Sequence, residues 1–371
     1  LICENAIESL QKLAAWQRKR FNLKVIGITG SNGKTIVKEW LSQLLSWKLN
    51  VVKTPKSYNS QIGVPLSVWQ IRDYHDVGVF EAGISRKGEM ERLERIILPD
   101  TGIFTNIGPA HDEGFISWEE KIREKLTLFQ HASELIYHRD HDLVHRTINQ
   151  VLPRIRKVSW GTHPESMYRL DILETNEQGT LVRIHKEHFE AVFTLPFSDR
   201  ASMENILHGL ILLLEWGLNE KEIQEGLADI SAVSMRLVMK KGIHDTYLID
   251  DSYSNDLAGL EIALNYLKNQ HQRNKKSLII TDILESGLTD EEINHRTARL
   301  IGHYQLNRVI ALGKQSGGIS AFLDHIPVEH YPDTATFLDA MDPDEFHHEI
   351  ILIKGARKFG LEKVVDRLQE K

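Results

Sequence analysis

One short segment constrains the fold of this 371-residue chain more than any other. The apolar run Val25-Ile26-Gly27-Ile28-Thr29 turns through Gly30-Ser31-Asn32-Gly33 and passes directly into Lys34-Thr35 and a helical pattern reaching Trp47. A strand that ends in a glycine turn and feeds a helix is the opening unit of a parallel α/β sheet. It also suits an anion, because the turn lets backbone N–H groups face outward and the helix N-terminus adds partial positive charge. Lys34 is placed to reach β- and γ-phosphates, and the Thr35 hydroxyl to ligate Mg²⁺. Two departures accompany this reading. The standard phosphate loop carries glycine six residues before its lysine, where this chain has Ile28, and Gly27, Gly30 and Gly33 miss the spacing of dinucleotide folds. A chance Gly-Lys-Thr is the competing explanation. The strand, turn and helix standing in order favour nucleotide binding.

At ~150 residues per domain the length indicates two or three domains. Lys plus Arg number 45 against 52 Asp plus Glu, a formal charge of −7 that argues against a dedicated nucleic-acid binder. The single cysteine, Cys3, excludes an intramolecular disulfide, and a reducing cytoplasmic compartment is expected. The most apolar patch, Ile206–Leu214, is interrupted by His208 and Gly209 and falls short of the ~20 residues of a membrane span. The start, Leu1-Ile2-Cys3-Glu4-Asn5, shows no signal-peptide pattern and no initiator Met, so the chain is expected to be a piece or a processed form of a longer protein.

Residues 1–21 read as a linker helix with an apolar stripe of Ala6, Leu10, Leu13, Ala14 and Trp16. Residues 22–232 alternate apolar runs with helical stretches, the pattern of a mostly parallel sheet covered on both faces. Within them Tyr168–Leu173, Gly179–Ile184 and Phe189–Leu195 alternate like antiparallel strands, which predicts a small antiparallel insertion. From 233 to 371 the strand–helix alternation restarts, predicting a second α/β domain.

Mg²⁺ bound to phosphates usually needs a protein carboxylate, and Glu81 stands at the end of the apolar strand Val77–Phe80, on the rim where a phosphate loop lies. A solvated strand-end glutamate is the competing reading. Other constellations read more plainly. His138, His141 and His145 stand at helical spacing, but Asp140 and Asp142 beside them indicate a solvated face rather than zinc. Leu207–Trp216 reads as core, and His347-His348 as a surface loop in an acidic stretch.

Taken together, Thr29-Gly30-Ser31-Asn32-Gly33-Lys34-Thr35, Tyr58-Asn59 with Gly63 and Pro65, Phe80-Glu81-Ala82-Gly83, Thr105-Asn106 with Ala110-His111, Lys125 with Phe129, Asn205, Met235-Arg236-Leu237 and Lys354-Gly355-Ala356-Arg357 resemble, in order, the motifs of the Mur ligase family. They span nearly the whole chain. The short loop of that family accounts for Ile28; Met235 departs from its usual glycine. The resemblance implies a central P-loop ATPase domain followed by a Rossmann-like α/β C-terminal domain, and an ATP-dependent ligase that joins a carboxylate to an amine through an acyl phosphate, releasing ADP and phosphate. Asp250-Asp251-Ser252-Tyr253 and His111-Asp112-Glu113-Gly114-Phe115 are most similar to the member that adds D-alanyl-D-alanine (D-Ala-D-Ala) to UDP-N-acetylmuramoyl-tripeptide (UDP-MurNAc-tripeptide) in peptidoglycan precursor synthesis. Ser254-Asn255-Asp256-Leu257 departs from that member's continuation at every position. Another ligase of the same type, one extending folate, and a nucleotide-binding piece inactive by itself are the alternatives.

The same resemblance assigns residues. Gly30, Ser31, Asn32, Gly33, Lys34 and Thr35 would cradle the ATP phosphates, with Asn205 facing adenine, Arg236 a phosphate and Asp251 the ribose. Thr35 and Glu81 would hold a first Mg²⁺. Glu81, His111 and a carbamylated Lys125 would hold a second, which places Lys34, Lys125 and His111 at the chemistry. Lys121 is the weaker candidate for carbamylation, and a surface lysine is the competing reading of Lys125. Asn59, Tyr253, Lys354 and Arg357 would meet the substrates. The resemblance further implies a monomer without its UDP-binding N-terminal domain, and leaves open a following alanine racemase.

Overall fold

The computed structural model describes residues 3–108, 114–176, 179–230, 237–284 and 286–370. The chain divides into two compact units, Leu1–Ser231 and Ala232–Lys371. Among the described residues no helix is long and apolar enough to cross a membrane.

The first unit is built on nine strands: β1 (Lys24–Thr29), β2 (Val51–Lys53), β3 (Val77–Glu81), β4 (Thr101–Phe104), β5 (Glu134–His138), β6 (Arg156–Gly161), β7 (Tyr168–Asn176), β8 (Gly179–Lys186) and β9 (Phe189–Leu195). They form one sheet in the order β2-β3-β1-β4-β5-β6-β7-β8-β9. Pairing is parallel as far as β7 and antiparallel from β7 to β9. The antiparallel strands expected within this unit are present, and they extend the same sheet. Trp160 pairs with Tyr168 and carries the same sheet onward. Sequence alternation identifies the strands but not their continuity, because the β6–β7 pairing rests on two residue pairs.

The central strands are buried along their length, as expected of a parallel sheet covered on both faces. Val25, Phe80, Phe104, Leu135 and Tyr137 share one core with Ala14, Leu93, Ile97 and Ile122. The first helix, Ala6–Lys19, departs from its apolar stripe: Leu13 and Trp16 are half exposed, while Gln11, Ala14, Gln17 and Arg18 are buried. Hydrogen bonding decides that face. Arg18 donates to the carbonyls of Ile97, Phe21 and Leu98, capping the end of the helix Glu89–Ile97.

The second unit has six strands: β10 (Val238–Gly242), β11 (Thr246–Asp251), β12 (Lys275–Thr281), β13 (Arg308–Leu312), β14 (Val328–Tyr331) and β15 (Glu349–Lys354). Their order is β10-β11-β15-β12-β13-β14, with only β10 antiparallel. Ile249, Leu278, Val309 and Leu352 face one apolar layer; Leu248, Ile279, Ile310 and Ile351 face the other. Glu349 closes the acidic stretch, but it is buried and bonded to Ser277, Lys275 and Arg308. His347 and His348 are exposed, as expected.

Candidate functional site

The carboxyl ends of β1, β3 and β4 lie side by side, Ile28 in register with Glu81 and Thr29 with Phe104. The segments leaving these three strands therefore gather on one rim, where open α/β sheets bind ligands. After β1 the chain turns at Gly30 (φ +152°) and Gly33 (φ +81°), conformations that favour glycine. Space demands it too: a Cβ would stand 2.0 Å from Thr105 Oγ1 at Gly30 and 2.2 Å from Asn205 Oδ1 at Gly33. Asn205, buried in the helix Arg200–Glu215, thus rests against the loop.

Ser31 and Asn32 do not present both of their amides outward. Ser31 N–H donates to the Asn106 carbonyl (2.9 Å) and Asn32 N–H to Asn106 Oδ1 (2.9 Å), so these two residues anchor the loop to the segment after β4. The first turn of the helix Lys34–Ser46 is the part of this loop that suits an anion. Its N-cap, Gly33, offers no side chain and its first turn has no acidic residue. Lys34 Nζ curls over the loop onto the carbonyls of Gly30 (2.9 Å) and Ser31 (2.7 Å).

Beside the loop is an oxygen cluster. Glu81 is fully buried, so the solvated strand-end reading does not hold. Its Oε2 accepts from Thr35 Oγ1 (2.9 Å) and its Oε1 lies 3.4 Å from the Asn59 amide donor. Thr35 Oγ1 also meets Ser57 Oγ at 2.9 Å. A carboxylate with two hydroxyls is a hard-oxygen set of the kind Mg²⁺ takes. Ser57 escapes sequence reasoning, because only its distance to Thr35 marks it. Its loop is tied down by the buried Lys38, which donates to the carbonyls of Thr54 (2.7 Å) and Lys56.

Lys125 is buried rather than a surface lysine, and its Nζ donates to the Gly30 carbonyl at 3.1 Å. Burial, with Lys34 and Lys121 nearby, pushes its amine well below the ordinary lysine range. Lys121 is buried too, but it turns to the Gly108 carbonyl (2.7 Å). The sign of the Lys125 effect is testable. Between the lowered folded-state value and the ordinary lysine value of about 10.4 the unfolded lysine binds more proton than the buried amine, so the residue costs stability, and the cost shrinks as pH rises through that window. In CO₂-depleted buffer Lys125→Met is expected to raise the melting temperature at pH 7, and to raise it less at pH 9.5, by circular dichroism.

In the second unit Asp251 and Lys354 sit opposite each other on β11 and β15 and pair at 2.7 Å, both buried. Lys354 Nζ also donates to the Ser254 carbonyl (2.6 Å), and Arg357 stacks over the Tyr253 ring with a 3.3 Å bond to its hydroxyl. Two assigned residues, His111 and Arg236, lie outside the described residues. The structure thus brings Lys34, Thr35, Glu81, Asn59, Asn205 and Lys125 together around one loop. It gathers Asp251, Tyr253, Lys354 and Arg357 at one rim of the other sheet.

Residues 28–213 match the model of the Mur ligase middle domain. The whole chain is similar to the UDP-N-acetylmuramoyl-tripeptide–D-alanyl-D-alanine ligases of Bacillus subtilis (28% identical over 377 residues, 100% of this chain and 81% of the relative) and Escherichia coli (28% over 380 residues, 100% and 82%). Its fold resembles a crystal structure of MurF from Acinetobacter baumannii (TM-score 0.85, 23% identity, 100% of this chain and 82% of that one). It also resembles the MurF ligase of Thermotoga maritima in complex with ADP (TM-score 0.80, 22% identity, 99% and 84%).

Proposed function

The chain belongs to the Mur ligase family, and from that premise we propose that it is the ATP-dependent ligase joining D-alanyl-D-alanine to UDP-N-acetylmuramoyl-tripeptide in peptidoglycan precursor synthesis. The observation that carries the site assignment is the meeting of Lys34, Thr35 and Glu81 around a glycine-shaped helix N-terminus. ATP and a nucleotide-linked precursor are compounds of the cytoplasm, which is where the reaction is assigned.

A carboxylate is a poor acceptor for an amine until one oxygen becomes a leaving group. In the proposed reaction a tripeptide carboxylate oxygen attacks the γ-phosphorus, the β–γ bridging P–O bond breaks, and ADP leaves with that electron pair. The D-alanyl-D-alanine amine nitrogen then attacks the acyl carbon, loses a proton, and the C–O bond to phosphate breaks. Two anions must meet in the first step, so positive charge around the γ-phosphoryl group is the main requirement. Lys34 supplies one such charge, and the helix N-terminus behind Gly33 supplies N–H dipoles. Thr35, Ser57 and Glu81 would hold Mg²⁺, which when bound neutralises phosphate charge and polarises the γ-phosphoryl group. Asn205 would position the nucleotide through its seat on Gly33. Lys354 and Arg357 would receive anionic parts of the substrates.

Lys125 is proposed to carry a carbamate. Addition of CO₂ needs a neutral amine, which burial beside Lys34 favours, and the product would turn that buried amine into an anionic carbamate, a second carboxylate-like group. Equilibration with ¹³C-bicarbonate is expected to give one carbamate carbon resonance that Lys125→Met removes. A spectrum with no such resonance would sink this part of the assignment.

The ligase reading is tested by phosphate release from ATP across a panel of acceptors. UDP-N-acetylmuramoyl-tripeptide with D-alanyl-D-alanine should stimulate release, and neither substrate alone should. Stimulation by folate with glutamate, or by a shorter UDP-linked precursor with a single amino acid, would overturn it.

A further inference from the structure

The carboxyl end of β5 carries a second arrangement that the ligase chemistry does not use. His138 closes β5, His141 caps the helix Asp142–Val151, and Glu204 lies in the first turns of the helix Arg200–Glu215. The spacing of His138, His141 and His145 suggests one helical face, but the structure separates them. His138 is on a strand and buried, and His145 turns away to Tyr137 (2.8 Å) and Asn149 (2.9 Å). Glu204, distant in sequence, takes the third place, and the ligand atoms of His138, His141 and Glu204 all lie within 4.8 Å of one another.

Two observations point to a ligand. Among the described residues, His138 Nδ1 and His141 Nε2 are buried and have no hydrogen-bond partner. Both face the Glu204 carboxylate, at 4.0 and 3.9 Å, too far for a hydrogen bond. Orphaned buried imidazole nitrogens are costly unless something fills the gap between them.

The surroundings fix the His138 ring as a ligand ring is fixed. It stacks on Trp160 at 4.2 Å and 5°. Its other nitrogen, Nε2, lies 3.3 Å from Asp140 Oδ2, which leaves the Nδ1 lone pair directed at the gap, the carboxylate–histidine arrangement that orients metal-bound imidazoles. Asp140 is itself immobilised by the N–H (2.8 Å) and hydroxyl (2.7 Å) of Thr162 and the N–H of His163 (3.0 Å). Gly161, at φ +152°, makes room for it, since a Cβ there would stand 2.4 Å from Asp140 Oδ1.

We propose that His138, His141 and Glu204 form a site for a zinc-class divalent cation (Zn²⁺, Co²⁺ or Ni²⁺), bound by two imidazole nitrogens and one carboxylate oxygen, with a fourth position open to water or an added donor. Two nitrogens and one oxygen suit these metals and not Mg²⁺, which prefers oxygen. Bonds of ~2.0–2.2 Å in a tetrahedral site put ligand atoms about 3.4 Å apart, so the trio must contract by roughly 0.5–1.4 Å. Glu204 can supply much of that movement: Arg200 holds its Oε1 at 2.8 Å, leaving Oε2 to turn toward the imidazoles. His185 provides the contrast, since both of its nitrogens already meet carboxylates, Asp171 at 2.7 Å and Glu190 at 3.0 Å. None of these contacts depends on the ligase reading.

The test is titration of the full, EDTA-stripped chain with Zn²⁺ by calorimetry and with Co²⁺ by visible absorption, in the presence of millimolar Mg²⁺. One tight equivalent is expected, with Co²⁺ bands of tetrahedral intensity and a higher melting temperature. His141→Ala and Glu204→Gln, at partly exposed positions, should each weaken binding at least tenfold, and Asp140→Asn by about 10–100-fold. His185→Ala should leave the tight equivalent intact. No tight equivalent, binding that His141→Ala and Glu204→Gln leave within twofold, or equal weakening by His185→Ala would overturn the proposal.

Discussion

Lys34→Ala is expected to lower ATP-dependent phosphate release roughly 10³-fold, because it removes the charge proposed to act where the transferring phosphoryl group gains negative charge. Among the described residues, the other lysines around the loop are engaged elsewhere. Lys125 and Lys121 are buried and committed to the carbonyls of Gly30 and Gly108, and Lys38 to those of Thr54 and Lys56. Lys34→Arg should restore little, because a planar fork cannot follow the path by which Lys34 reaches over the Gly30 and Ser31 carbonyls. Nucleotide calorimetry beside turnover separates the effects, and a fall in turnover far exceeding the fall in ADP affinity is the expected pattern. Charge provides a second readout. Lys34 is one of the groups holding the Lys125 amine below its ordinary range, so its removal should raise the Lys125 pKa and reduce any carbamate resonance at neutral pH. Unchanged turnover in Lys34→Ala would refute the phosphate-site assignment.

Much of this site is written in the chain because its parts are local. A strand, two glycines at positions needing positive φ, a lysine and a threonine stand within a dozen residues, and each has a physical reason to be there. Glu81 is legible for the same reason, as an acidic residue ending an apolar strand. Ser57 and the trio His138, His141 and Glu204 are not, since they depend on long-range pairing that periodicity does not carry. The histidine spacing even misleads, because a strand end followed by a turn and a helix cap mimics one helical face. The first helix misleads in another way. Its apolar residues suggest the buried side, but the helix is turned to an adjoining face that shares only Ala14 with that stripe, where Arg18 reaches three carbonyls while Leu13 and Trp16 stay half exposed. The β7–β9 strands are visible as strands, yet the two pairs joining them to β6 leave no trace in alternation.

The largest effect on stability is expected in the second unit. Lys354→Met leaves the Asp251 carboxylate buried and unpaired, and breaking a buried ion pair from one side costs about 3–5 kcal/mol. The position is severe for two reasons: β11 and β15 are adjacent central strands, and Lys354 Nζ also satisfies the Ser254 carbonyl. Adding Asp251→Asn should recover a large part of the loss, since a neutral amide can bond where an unpaired charge cannot. All seven tryptophans lie at or before Trp216, so tryptophan fluorescence reports on the first unit alone. In urea, Lys354→Met should therefore leave the fluorescence midpoint near that of the parent chain. Far-ultraviolet circular dichroism should gain an earlier transition, which the double variant moves back toward the parent midpoint. ADP binding at the phosphate loop provides a further separation, because a purely structural loss in the second unit leaves Lys34, Thr35 and Glu81 in place. An unshifted dichroism transition in Lys354→Met would show that the pair contributes nothing to folding and would free Lys354 for substrate alone.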